Sequence, residues 1–333
     1  MLTASQALSM SRRTRRTLLI VAAVFTLLAV AVFLRSKAPP EAARLLPESD
    51  GILYVNVAPI RTLAHFGHVE PPHRVPEYQE FVDATGIDWE RDVDQVAIAL
   101  HRMPDPNGPN GPVAYSMVLV GKITGQKLNS WLDAHAATRE IYTGHTIYNI
   151  PSEGRTVRVV QIGYDMVAIS NAPTTEQIHS ILDRHRTAAL PFSGSSLLQH
   201  HFHDVPLLSL AWGVGQIGLP FSESGNIHIF GVQLPLPADS TIIASAALSL
   251  PVPGSMGSVR LRVEEIAASE DTATSQAASL GTLVTVARGL AVPPESNKAN
   301  DVLKELLQTA EVTQHGERVI VSATLPAHFL THL

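Results

Sequence analysis

The chain contains no cysteine, and that absence removes several kinds of chemistry at once. A lipid-acylated cysteine, a covalently attached haem and a thiolate zinc site all need a sulfur that is not there. Disulfides are excluded as well, so the folded portion must rest on its buried core, which a chain of this length can supply. Lysine is nearly missing: arginine outnumbers it 19 to 5, and alanine is abundant, the composition of a GC-rich bacterial genome. No acidic residue precedes Glu41, whereas Arg12, Arg13, Arg15, Arg16, Arg35 and Lys37 all do. The remainder carries 18 basic residues against 30 acidic ones, a net of −12. Such a surface repels phosphate backbones, which excludes nucleic acid as a partner.

Recognisable catalytic spacing is also missing. There is no G-x-S-x-G, and Gly254-Ser255-Met256-Gly257 is one residue short and sits in a turn. No serine is followed three residues later by a lysine that opens an apolar helix. Fifteen histidines make chance Ser/His/Asp trios easy to draw, so sequence alone singles out none of them.

One long apolar run is present, Leu18–Leu34, seventeen residues without a charge. As a helix it is roughly 26 Å long, close to a hydrocarbon core of roughly 30 Å. The flanking arginines can snorkel to the interface. Four basic residues before the run against two after it favour a cytoplasmic N-terminus. A cleaved signal peptide is the rival reading, but Ala29-Val30-Ala31 lies inside the run and Pro39 follows Ala38. The expected organisation is therefore a cytoplasmic tail over 1–17 and a transmembrane signal-anchor over 18–34. A stalk over 35–44 follows, then two units over 45–190 and 191–333.

Periodicity in the two units alternates between two and 3.6 residues. Ile52, Tyr54 and Asn56 alternate with Leu53, Val55 and Val57, a strand covered on both faces. Strands are expected at Val96–Leu100, Ala114–Gly121, Thr156–Ile162, Met166–Ser170, Leu207–Trp212, Thr241–Leu250 and Ser258–Ile266. Tight hairpins are expected about Thr143-Gly144 and His315-Gly316. Helical spacing links Leu128, Trp131, Leu132 and His135, then Ile178, Ile181 and Leu182 behind a Thr174/Gln177 capping box. A long helix begins near Ser269 and a second carries Leu303, Leu306 and Leu307. Glu140–Pro151 and Glu311–Pro326 follow one plan, in which a Gly/His turn joins two strands and proline ends the second. The expected class is thus α+β: an N-terminal transmembrane helix, then two similar units of mostly antiparallel sheet with helices on one face.

Four clusters invite chemistry. Gln199-His200-His201-Phe202-His203-Asp204 offers His200, His203 and Asp204 as ligands for Zn²⁺, Ni²⁺ or Cu²⁺, although neighbouring side chains on a helix diverge by about 100°. His65, His68 and His73 lie in a proline-rich loop and converge on nothing evident. Gly213-Val214-Gly215-Gln216-Ile217-Gly218 has the dinucleotide spacing, yet Pro220 and Ser222–Gly225 break the helix that pyrophosphate binding needs, so it reads as a loop leaving a strand. Asp88, Glu90, Asp92 and Asp94 resemble a calcium loop that lacks its glycine and closing glutamate. No cofactor is expected from any of these.

LLPESDGILYVNVAPI, TGIDWERDVDQVAIAL and VTQHGERVIVSATLP together resemble uncharacterised membrane-anchored exported proteins of acidobacterial type. The resemblance implies architecture and location and carries no catalytic residues. The functional expectation is a bacterial inner-membrane protein, attached to the membrane through Leu18–Leu34, with the bulk of the chain periplasmic. There it binds or scaffolds an envelope protein partner without catalysis. The alternatives are an envelope hydrolase assembled from distant residues, or a binder of small apolar or lipid ligands in the cleft between the two units.

Overall fold

The computed structural model describes residues 21, 24–26, 38–64, 76–123, 125–187, 194–216, 226–229, 232–235, 240–249, 258–289 and 298–326. Most of Leu18–Leu34 and all of His65, His68 and His73 lie outside them. Among the described residues no helix is long and apolar enough to cross a membrane. Residues 1–39 and 40–333 are separate compact units, and the strands and helices that follow belong to the second.

The strands are β1 (Gly51–Asn56), β2 (Val93–Arg102), β3 (Val113–Gly121), β4 (Thr138–Tyr142), β5 (His145–Ser152), β6 (Arg155–Ile162) and β7 (Met166–Ser170) in the first half. The second half holds β8 (Ser209–Gln216), β9 (Asn226–Ile229), β10 (Val232–Pro235), β11 (Thr241–Ser249), β12 (Ser258–Ile266), β13 (Glu311–His315) and β14 (Arg318–Pro326). Twelve of them form a single antiparallel sheet in the order β13-β14-β12-β11-β8-β1-β2-β3-β7-β6-β5-β4, and β9 and β10 pair separately.

This corrects the expectation of two similar sheet units. Each half would leave one edge strand open, and the two open edges, β1 and β8, pair with each other from Gly51↔Gly215 to Val55↔Ala211. Hydropathy reads which face of a strand is buried but not which strand lies beside it, so the merger leaves no local signature. Glu140–Pro151 and Glu311–Pro326 each form a terminal hairpin of the sheet, β4–β5 at one edge and β13–β14 at the other, with seven strands on the first side of the β1–β8 seam and five on the second.

The expectation of helices on one face is corrected too. A row of directly paired residues, Trp212-Tyr54-Ala97-Val118-Ala168-Val160-Ile147, marks the first face across seven strands. Helices α1 (Glu41–Leu45), α6 (Glu176–Arg186) and α7 (Ser196–His201) pack there through Leu45, Ile178, Ile181, Leu182 and Leu198. α2 (Val57–Ala64) follows β1 directly. The second face is covered over the first half by α3 (Pro76–Thr85) and α5 (Gln126–His135), through Phe81, Leu128 and Leu132. Between them in sequence, the short α4 (Trp89–Asp92) leads straight into β2. Over the second half that face is covered by α8 (Glu270–Gly289), whose Ala273, Ala277 and Leu280 meet Val312 and Val319. α9 (Lys298–Thr309) is clamped to it where Arg288 donates to the carbonyls of Leu307 (2.7 Å) and Ala310. Burying both faces is what a sheet of this width requires, because each uncovered apolar strand would cost about 25 cal/mol per Å².

Local chemistry fixes the turns. Thr143 and Gly144 both have positive φ, 50° and 85°, giving the two-residue turn whose twist matches a hairpin. The other hairpin turns about Gly316-Glu317, one residue later than the expected His315-Gly316. The capping box at α6 does not form: the Thr174 hydroxyl lies 3.4 Å from the Gln177 side-chain oxygen instead of accepting from a main-chain N–H. Gly213 and Gly215 are inside β8, not in a loop leaving it. A Cβ on Gly213 would come within 2.7 Å of Leu53 Cδ2, and one on Gly215 within 2.7 Å of Gly51 Cα. These glycines serve close strand packing, and Gly218 lies outside the described residues.

One ladder makes one cooperative unit. Urea unfolding of the detergent-solubilised chain, followed by tryptophan fluorescence and by far-ultraviolet circular dichroism, is expected to give coincident single transitions. Gly215→Ala should lower stability by about 1–3 kcal/mol while keeping one transition, since backbone must shift to admit the methyl group. Two separated transitions would contradict the continuous sheet.

Candidate functional site

Three polar constellations stand out, and each follows from how local structure delivers its side chains. The first contains the expected ligands. Ser195 caps α7, its Oγ accepting from the Leu198 N–H at 3.4 Å, and a 3₁₀ turn over Phe202–Asp204 follows directly. His200 turns back on its own helix, with Nδ1 2.7 Å from the Ser196 carbonyl. His203 stays exposed, with Nε2 3.4 Å from Asp204 Oδ1, and His201 Nδ1 is 3.9 Å from Asp204 Oδ2. The decisive partner is Arg318 at the start of β14, which donates Nη1 to Asp204 Oδ1 at 3.0 Å and also to Glu264. Arg262 completes an alternating row of charge by reaching Glu264 Oε2 at 2.5 Å.

The structure therefore gives Asp204 a guanidinium where the sequence offered it a metal. Of the three candidates it brings only His203 and Asp204 together, and His200 is engaged elsewhere. Among the described residues no group of three or more His, Asp or Glu side chains is arranged to hold a metal ion. The hydrogen bond to Glu264 raises the Arg318 pKa; burial opposes this and Asp204 adds to it. Burial lowers the His201 pKa against the opposing pull of Asp204. The row ties the segment after α7 to β12 and β14, and its chemistry is adhesion.

The second constellation escaped the sequence because its members lie on separate strands. His101 on β2, Ser116 on β3 and Ser170 on β7 form a hydrogen-bonded chain, with Nε2 to Oγ at 3.0 Å and Oγ to Oγ at 3.1 Å. An imidazole against a serine is the beginning of a nucleophilic dyad. Both serines, however, are wholly buried, and His101 is 6 % exposed. Around them Asn110 and Arg158 donate to the carbonyls of Asn171, Ala172 and Pro173, the segment that carries β7 into α6. This network satisfies buried main-chain groups. Burial lowers the His101 pKa, opposed by the Asp50 charge and by a hydrogen bond with the Glu48 main chain.

The third constellation is at the surface, where β4 meets α6. Tyr142 stacks on His179 with ring centroids 3.8 Å apart, and its hydroxyl donates to Asp183 Oδ2 at 2.9 Å. That hydrogen bond, followed by burial, raises the Tyr142 pKa. His179 Nε2 lies 2.7 Å from Glu140 Oε1. Arg184 donates to Glu48 at 2.8 Å, and Glu48 also accepts from the Ser196 N–H and hydroxyl. Partial burial works to raise the Glu48 pKa, but its bonds to Ser196 and Arg184 win and hold it below the ordinary value. Glu176, His179, Ser180, Asp183, Arg184 and Thr187 line an open groove of about 410 Å³. One strand, two helices and the loop before β1 thus set charged, solvent-reachable groups along one side of the sheet.

The remaining candidates are used structurally. Asp88 caps α4 by accepting from the Glu90 N–H at 3.1 Å, Asp92 accepts from the Asp88 N–H at 2.9 Å, and Asp94 pairs with Arg61 at 3.1 Å. Three of the four carboxylates that suggested calcium, Asp88, Asp92 and Asp94, are spent on a helix start and an ion pair. The cleft imagined between two units is filled by the β1–β8 ladder.

Two outcomes test these assignments. Arg318→Ala leaves Glu264 buried beside a single cation and Asp204 without its partner, and should cost about 3 kcal/mol in urea unfolding. His101 has its folded-state pKa below its ordinary value of 6.5, so the stability of the neutral ring is complete above that value and is lost as pH falls through the folded one. The melting temperature should decline on acidification below about pH 6.5, and His101→Gln should reduce that slope. An unchanged slope would show that the ring is not the group being titrated.

No family model matches the chain, and no curated protein matches it. Among solved structures, three crystal forms of a protein designated TP0453 are similar. Crystal form III gives a TM-score of 0.43 at 12 % identity, covering 88 % of this chain and 97 % of that one. Crystal form I gives 0.43 at 13 %, covering 89 % and 96 %, and crystal form IV gives 0.41 at 11 %, covering 87 % and 95 %. Likeness at this level carries no argument about what the present chain does.

Proposed function

We propose that this is a protein of the bacterial cell envelope, held at the inner membrane through Leu18–Leu34 with its N-terminus cytoplasmic, and that it works by binding an envelope protein partner. The apolar run and its basic flanks support the placement. The observation that carries the binding reading is the edge strand β4. It is the last strand of the sheet beside β5, and Ile141 on it is 79 % exposed.

Main-chain geometry supports the same reading. Tyr142↔His145 closes a two-residue turn, so that pair exchanges both its hydrogen bonds and alternate residues point the other way. Arg139 and Ile141 consequently present their N–H and C=O groups outward, ready to pair with an added strand. An extended segment laid there would place every second residue beside Glu140, Tyr142 and the α6 groove, and the others beside Ile141. Glu176 and Asp183 in that groove, with the net charge of −12 outside the anchor, favour a partner segment that alternates basic and apolar residues.

Proline at an outward-facing edge position removes a docking N–H without breaking the β4–β5 ladder, so Ile141→Pro isolates the interaction. Cells carrying the protein tagged at Leu333 would be crosslinked and the trapped proteins identified by mass spectrometry. The expected outcome is reproducible capture of one or two envelope proteins, reduced about tenfold by Ile141→Pro. Capture that is absent, or that the substitution leaves unchanged, would overturn the reading.

A further inference from the structure

The loop that joins β2 to β3 contains Pro106-Asn107-Gly108-Pro109-Asn110-Gly111-Pro112, the same Pro-Asn-Gly-Pro sequence twice over with Pro109 shared. An asparagine followed by glycine is open to attack by its own main chain. Glycine has no Cβ to shield its nitrogen, and it turns freely into the bent conformation that the attack requires. Identical neighbours give Asn107 and Asn110 the same intrinsic reactivity. Any difference between them is made by the fold.

The fold treats the two in opposite ways. Asn110 is buried, and its carboxamide nitrogen donates to the Asn171 carbonyl. The nitrogen that would attack it, in Gly111, donates to the Gly108 carbonyl at 2.9 Å, a typical length for such a bond. Reaction there needs the Asn110 side chain to leave Asn171 and fold back on its own main chain. Asn107 is exposed and is held through its main chain alone. Its N–H donates to Asp105 Oδ1 at 3.1 Å, and the Gly108 N–H donates to the Asp105 carbonyl at 3.2 Å, the long end of the normal range. Among the described residues nothing hydrogen-bonds the Asn107 carboxamide, so it is free to swing toward the Gly108 nitrogen.

From this contrast we infer that Asn107 is a self-modification site, deamidated through a succinimide, and that the same fold protects Asn110. The Gly108 nitrogen bonds to Asn107 Cγ, and its proton leaves with the carboxamide nitrogen as ammonia. Water then opens the five-membered ring at either carbonyl. Opening at the main-chain carbonyl leaves isoaspartate, with the backbone running through Cβ, and opening at the other leaves aspartate. The protected residue is the one the fold depends on. A carboxylate at position 110 would face the Asn171 carbonyl instead of donating to it, and Asn171 Oδ1 in turn accepts from the Tyr115 N–H at 2.7 Å. Conversion at Asn107 instead adds one negative charge beside Asp105, within a loop closed by the Met103 N–H on the Pro112 carbonyl at 2.9 Å.

Because the two sites share one local sequence, the chain carries its own control. The full chain in detergent would be aged at mildly alkaline pH, folded or in urea, and then digested briefly with trypsin. Cleavage after Arg102 and Lys122 leaves both asparagines in one peptide, whose fragment masses locate each change from amide to acid. The expected result is conversion many-fold faster at position 107 than at 110 in the folded chain, as a mixture of aspartate and isoaspartate. In urea the two rates should become equal. Gly108→Ala sets a methyl group beside the attacking nitrogen, and should suppress conversion at 107 while leaving 110 unchanged. Equal rates at the two positions of the folded chain, or a faster reaction at 110, would overturn the inference. So would an Asn107 that stays intact in the folded chain, whatever happens in urea.

Discussion

Everything in residues 40–333 depends on the seam between β1 and β8. Neither strand has a neighbour from its own half on that side, and each would present a row of unmet N–H and C=O groups. Pairing them meets those groups and continues one ladder through twelve strands. The seam holds because it is thin on one face and thick on the other. Glycines 213 and 215 let the backbones and Leu53 approach on the second face, where a Cβ on either would come within 2.7 Å of Leu53 Cδ2 or of Gly51 Cα. On the first face Tyr54 stacks on Trp212 at 5.4 Å and Phe202 meets the same indole edge-on at 5.5 Å. Aromatic pairs of this kind add about 0.5–1.5 kcal/mol beyond the area they bury. They also bring the segment after α7 onto the seam, which positions Asp204 for Arg318.

The buried charges belong to that same logic. Glu264 is among the most deeply buried side chains, and taking a carboxylate out of water costs several kcal/mol before any partner is counted. Arg318 and Arg262 offset that cost, and an apolar replacement of the whole group could be as stable. What the ion row supplies is selectivity: only one register of β12 against β14 puts Glu264 between both cations. His101, Ser116 and Ser170 act in a similar way across β2, β3 and β7, since a slip by one residue would leave buried hydroxyls unmet.

How much was legible follows from the range of each interaction. The Thr143-Gly144 turn, the helix starting near Ser269 and the apolar stripe of α6 rest on residues within a few positions of one another, and sequence periodicity reads them directly. Leu53 was expected to be covered and is 38 % exposed, because alternation records that a face is apolar and not whether a helix lies over it. Sheet order is non-local, so the joining of the halves and the placement of helices on both faces could not be read. The histidine cluster was visible as a cluster, but its meaning is set by an arginine 114 residues away. The α6 groove was invisible for the same reason: Glu140 and Tyr142 meet His179 and Asp183 only once β4 has been placed.

An open sheet of this width must manage two ends, and the two are treated differently. At β13 the outward alternation is Glu311, Thr313 and His315, all exposed and polar, while Val312 is drawn under α8. Gln314 further ties the strand to the main chain of Gly316 at 3.0 Å. Charged and helix-covered edges of this kind are how sheets avoid pairing with other chains. At β4 the same precautions are half applied. Arg139 is held against Asp133 at 2.8 Å and over the Tyr148 ring, yet two positions along the strand Ile141 stands almost free of protein contact. An aliphatic side chain exposed on an unpaired strand invites aggregation unless pairing there is wanted. The contrast between the two ends of one sheet is therefore the physical reason to place partner binding at β4.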